Sequence, residues 1–79
     1  MKTYNLVKKI IQIEEKLKLN EIKMNNLYKT INSSKLKSAK EKYIDMYDKI
    51  FNEQIKLIQK HEFYTEKLKN IDLITEMYL

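Results

Sequence analysis

No cysteine, glycine, proline or tryptophan occurs in the 79 residues, and every strong base is Lys, because arginine is missing too. Without thiols there are no disulfide staples, no Cys-bound zinc and no thiol nucleophile. Without glycine, tight left-handed turns are costly, which disfavours a multi-strand hairpin protein. The same lack removes the glycine-rich loops that cradle phosphates in nucleotide-binding proteins. A chain of this length supports one domain with a thin core, and ordinarily needs a staple, a metal, idealised helix packing or a partner. Helix packing and association are what remain.

The residues present point the same way. Charged residues make up 34% and hydrophobic ones 43%, with a formal net charge of +5. A chain rich in Lys, Glu, Leu and Ile fits a long-helix or coiled-coil protein. Residues with AT-rich codons (Phe, Tyr, Met, Ile, Asn and Lys) account for 46 positions, whereas Ala, Gly, Arg and Pro together account for one. This bias indicates an AT-rich genome, such as a low-GC bacterium, its phages or plasmids, or an AT-rich eukaryotic parasite. It also explains Lys in place of Arg without a functional cause. Lys8-Lys9 comes soon after the start of the chain, so no signal-peptide apolar stretch forms there, and no run approaches the ~18 apolar residues of a membrane span. The expectation is a cytoplasmic protein, and Asn32-Ser33-Ser34 is read as a chance glycosylation sequon.

Between residues 3 and 31 the spacing of core-type positions alternates strictly between three and four. The series is Thr3, Leu6, Ile10, Ile13, Leu17, Asn20, Met24, Leu27 and Ile31. This is a heptad seam four repeats long. Lys2, Lys9, Lys16 and Lys23 stand along one side of it, and Val7, Glu14, Glu21 and Tyr28 along the other. Ile11, Leu19 and Ile22 lie off the seam, as they do in a helix with more than one neighbour. A second series runs Tyr43, Tyr47, Ile50, Gln54, Leu57, His61, Tyr64, Leu68, Ile71, Thr75 and Tyr78. Ile44, Phe51, Ile55 and Ile58 widen its apolar arc beyond a narrow seam, the mark of a bundle helix.

The break falls at Asn32-Ser33-Ser34, three residues that favour caps and turns. Ser34 is one candidate cap for the second helix, and Ser38-Ala39-Lys40-Glu41 has capping-box spacing. The expected fold class is all-α: one domain over 1–79, a long antiparallel helical hairpin that dimerises into a four-helix bundle. Its expected elements are a helix over about 3–31, a turn over 32–34 and a helix over 35–69, with a possible short helix over 72–79. A single uninterrupted helix is the alternative. Residues 1–42 hold 11 Lys and 4 Glu, whereas residues 43–79 hold 5 Lys and 7 acids. Antiparallel folding sets the basic half against the acidic one.

Catalytic equipment is scarce. The sole imidazole, His61, falls on the second seam and reads as a half-buried polar residue. A carboxylate-bridged metal pair needs Glu-x-x-His, but Ile58 stands three residues before His61. Asp45 with Asp48, and Glu62 with Glu66, read as solvated surface. The expectation is no enzyme, no metal and no cofactor.

The polar seam residues Asn20, Tyr47, Gln54 and His61 are expected to set register, as a buried Asn does in coiled coils. A turn centred near 33 makes facing residue numbers add to about 67, which places Asn20 beside Tyr47, Leu17 beside Ile50, Ile13 beside Gln54 and Leu6 beside His61. The chain beyond Thr65 then overhangs. Leu68, Ile71, Ile74, Met77 and Tyr78 become the expected contact with a second copy or a protein partner. The expected function is a small protein–protein interaction module, a phage or mobile-element accessory protein that modulates or scaffolds another protein. The alternative is nucleic-acid binding through the hinge lysines Lys29, Lys35, Lys37, Lys40 and Lys42. A membrane role for the basic first helix ranks last.

Overall fold

The computed structural model describes the backbone of residues 2–78 and the side chains of residues 3–71. Helix α1 runs from Lys2 to Ser33 and helix α2 from Lys37 to Tyr78. They lie antiparallel along their lengths in a rod of 63 × 16 × 15 Å. At ~1.5 Å per residue, the 42 residues of α2 account for that length by themselves.

Neither helix meets a residue that would break it, because the chain has no proline or glycine. Termination is therefore done by side chains. At the end of α1 the Thr30 carbonyl accepts hydrogen bonds from Ser33 Oγ at 3.1 Å, Ser34 Oγ at 2.9 Å and the Ser34 amide at 3.0 Å. Hydroxyls that compete for backbone carbonyls in this way divert the chain from further helix. Three residues, Ser34 to Leu36, make the reversal without any backbone φ in the left-handed region.

This differs from the expected turn over 32–34, since α1 continues through Ser33 and the turn centre moves about two residues along the chain. Ser34 serves the end of α1, not the start of α2. The Leu36 carbonyl accepts the first helical bond of α2, from the Lys40 amide at 3.1 Å. Leu36 thus occupies the N-cap position, and Ser38 lies within the first turn. The expected short helix over 72–79 is not separate either. The described backbone of α2 runs through Asn70-Ile71-Asp72 to Tyr78, as nothing in that triplet forbids helix.

The buried stripe tracks the two heptad series. On α1, Leu6, Ile10, Ile13, Leu17, Asn20, Met24, Leu27 and Ile31 are buried or half-buried, and Thr3 is exposed. On α2 the same holds for every seam position from Tyr43 to Ile71. Burial is shallow all the same. Ile13 and Leu57, each 9% exposed, are the only apolar residues among those described that are buried, and none of the described side chains falls below 2%. Two helices share one stripe between them, so each seam residue keeps an open side.

Leu36 is 71% exposed and has no side-chain acceptor to offer the free amides of α2. Leu36→Asp supplies one, and should raise stability by ~0.5–2 kcal/mol in urea denaturation, with helix content by circular dichroism unchanged.

Candidate functional site

The most buried polar group of the hairpin is Asn20, 4% exposed at mid-seam on α1. Its Nδ2 donates to Gln54 Oε1 at 3.0 Å and makes a longer 3.4 Å contact with Glu53 Oε1. Gln54 Nε2 donates in turn to the Leu17 carbonyl at 3.1 Å. That carbonyl belongs to the α1 ladder and uses its second lone pair here. Glu53 Oε1 also receives Lys16 Nζ at 3.0 Å, which closes the group at the solvent side. No buried side-chain nitrogen or oxygen among the described residues lacks a hydrogen-bond partner.

Glu53 titrates below its ordinary value of 4.5. The hydrogen bond from Lys16 is the main cause, followed by that from Asn20, with the charges of Lys16 and Lys23 adding to it and partial burial opposing. Toward the open end, His61 Nε2 lies 3.0 Å from Glu14 Oε1, and since a carboxylate only accepts, the ring carries a hydrogen at Nε2.

These contacts correct the expected register. Asn20 meets Gln54, not Tyr47, which sits one heptad nearer the turn and so ~10 Å away along α2. His61 reaches Glu14, not Leu6, and Ile13 shares a recess with Leu57. Facing residue numbers add to between 69, for Lys16 with Glu53, and 75, for Glu14 with His61. The displaced turn accounts for most of the shift. The overhang shrinks accordingly: Leu6 and Ile71 line one recess of about 570 Å³, and Leu68 and Ile71 are half-buried. The side chains of Ile74, Met77 and Tyr78 lie outside the described residues.

The Lys16–Glu53 pair marks one flank of the hairpin. Across the seam, on the other flank, α1 carries Tyr4, Val7, Ile11 and Tyr28 and α2 carries Ile44, Phe51, Ile55 and Ile58, all exposed. Their 3–4 spacing keeps each set on one side of its helix. Leu19 and Ile22 point away on the outer face of α1. The hinge lysines Lys29, Lys35, Lys37, Lys40 and Lys42 are exposed around the turn.

Among the described residues, no three Asp, Glu, His or Cys side chains gather to hold a metal, and no helix is long and apolar enough to cross a membrane. No family model, curated protein or solved structure matches the chain. Sequence reasoning singled out Asn20 and Gln54 but paired Asn20 elsewhere. The available signal was that each is a lone polar side chain on an otherwise apolar stretch of seam. Lys16 and Glu53 carried no comparable signal, being two charges among many.

Two measurements probe this layer. Asn20→Ala leaves the Gln54 amide short of a partner and should cost ~1–3 kcal/mol, whereas Asn20→Leu with Gln54→Leu should restore or exceed the original stability while loosening register in disulfide-trapping experiments. The second is acid sensitivity. Because folding lowers the Glu53 pKa, its contribution is complete above about pH 4.5 and is lost as pH falls through the lowered value. Urea midpoints measured from pH 7 to 2.5 should fall less steeply in Glu53→Gln.

Proposed function

We propose that the chain is a non-enzymatic protein–protein interaction module that works as a self-associating helical hairpin, two copies joining by their apolar flanks into a four-helix bundle. The observation that carries this reading is the exposure of Phe51, Ile55 and Ile58 on α2 and of Val7 and Ile11 on α1, all on the flank opposite Lys16–Glu53. Large apolar side chains gathered on one flank mark an interface more often than solvated surface.

Area supports association. A compact monomer of 9.7 kDa exposes about 5,100 Å². This chain exposes 6850 Å². The excess, roughly 1,700 Å², is about twice the ~800 Å² that each partner contributes to a standard interface. A core whose apolar residues all remain at least 9% exposed also leaves a lone hairpin marginal. Bundle formation places a second neighbour over the open side of each seam residue. In this reading Leu68, Ile71, Ile74, Met77 and Tyr78 add a contact of their own with the second copy or with the target protein. The accessory role fits the AT-rich coding bias, with the assembled bundle binding and scaffolding or modulating another protein.

Sedimentation equilibrium tests the association. The wild-type chain should sediment as a dimer with a concentration-dependent melting temperature. Phe51→Glu with Ile55→Glu should give a less stable monomer, and truncation after Asn70 should weaken the dimer without abolishing it. A wild-type chain that stays monomeric at high micromolar concentration overturns the reading.

A further inference from the structure

The flank of the Lys16–Glu53 pair has a composition that the apolar flank does not share. On α1 it carries Lys9, Lys16 and Lys23, one heptad apart and all exposed. On α2, Lys49 and Lys56 stand four residues before and three after Glu53, hence on its face of the helix. The same 3–4 spacing extends that stripe to Lys42 on one side and to Lys60 and Lys67 on the other, again all exposed. The two helices bring these stripes together. Lys9, Lys16 and Lys60 surround one recess beside Leu57 and Tyr64, Lys9 and Lys67 border the next, and Lys23 lies close enough to act on the Glu53 carboxylate.

This edge therefore presents eight lysines and one acid, Glu53, which is already paired with Lys16. The opposite flank has the reverse balance, with Glu14, Glu21, Asp48 and Glu62 against Lys18 and Lys69. A Lys-rich composition explains many lysines but not their segregation to one side of a rod. Like charges at helical spacing, such as Lys56 and Lys60, repel one another, so the arrangement is unfavourable in the free chain and is relieved by an external anion.

The geometry points to this edge, distinct from the apolar flank and sharing only Lys42 with the turn, as a binding surface for the phosphate backbone of duplex nucleic acid, without sequence preference. Dimension and regularity favour a duplex. From Lys42 to Lys67 the stripe runs ~38 Å, close to the ~34–36 Å of one DNA turn. With facing numbers adding to about 72, Lys23 falls level with Lys49 and Lys16 level with Lys56, so lysines recur every ~5–10 Å along a straight, rigid edge. A flexible single strand needs no such straight row, and a membrane surface would use lysines and apolar side chains on the same side, whereas Met46 and Phe63 are the exposed apolar residues within the α2 stripe and eight others lie on the opposite flank. Lysine supplies point charge and no bidentate fork for guanine, so the contact positions the protein without reading bases.

Fluorescence anisotropy of the full chain with a labelled 24-bp mixed-sequence DNA duplex tests the proposal. We expect binding at 50 mM NaCl, indifferent to sequence, with a slope of log K against log[NaCl] near −4.5 if about five phosphates are neutralised. Replacing Lys16, Lys23, Lys49 and Lys56 together by Gln should weaken binding at least tenfold and flatten the slope by about three, while the four Lys→Arg counterparts retain it. Glu53→Gln should tighten binding, because it frees Lys16 and removes the one acid of the edge. Lys35→Gln with Lys37→Gln at the turn should leave the slope unchanged. No duplex binding at 50 mM NaCl overturns the proposal, as does an edge variant that binds like the wild type, or vesicles with 30% anionic lipid binding in place of DNA. Should the fourfold Gln variant lose its helical circular dichroism, the Glu53→Gln and Lys→Arg arms decide the matter unaided.

Discussion

A carboxamide taken out of water has to find partners, and in this hairpin the Asn20 amide finds Gln54, which in turn is held by the Leu17 carbonyl. The apolar seam is close to degenerate, because sliding one helix past the other by a heptad still sets aliphatic side chains against aliphatic side chains. Such a slide would break the Asn20–Gln54 bond and the Gln54 bond to the Leu17 carbonyl, and an amide left unpaired in this half-dry interface costs ~1–3 kcal/mol. The layer around Asn20 thus selects one alignment among several with similar apolar contact. Both flanks are built from that alignment. With Lys16 beside Glu53 and Glu14 beside His61, the lysines of the two helices fall on one edge and the exposed aliphatic and aromatic residues on the other.

The rod has little interior. Two helices in contact give each seam residue one neighbour helix and leave its other side to water, so burial stops at 9% exposure for the best-covered apolar residues. Stability in such a molecule comes from the length of the seam and from whatever covers its open sides. The apolar flank is the natural place for that cover, and the proposed self-association would supply it.

The two flanks differ in the kind of association each could support. Apolar surface gives short-range, salt-insensitive association. A row of lysines gives long-range attraction that weakens as salt rises. Because the flanks face away from each other, occupation of one leaves the other open. A bundle of two hairpins joined by their apolar flanks would carry its two basic edges on opposite outer sides, each open to a polyanion of its own.

Periodicity alone determined that the chain is helical, which residues lie on the inner stripe of each helix and roughly where the reversal falls, since 3–4 spacing specifies a face whatever the partner. It also showed that Asn20 and Gln54 interrupt the seam. The tertiary structure decided what touches what. Ser34 could cap either helix by composition, and its bond to the Thr30 carbonyl assigned it to the end of α1, shifting the turn by about two residues. That shift, small along the chain, is doubled to about four residues in an antiparallel pair, so it accounts for most of the seven-residue move of Asn20 from Tyr47 to Gln54 and draws Leu68 and Ile71 back alongside α1. The charged edge needed both helices in place. Lys9, Lys16 and Lys23 are visible as a row in the sequence, and so is the row from Lys42 to Lys67, but only the antiparallel alignment puts them side by side.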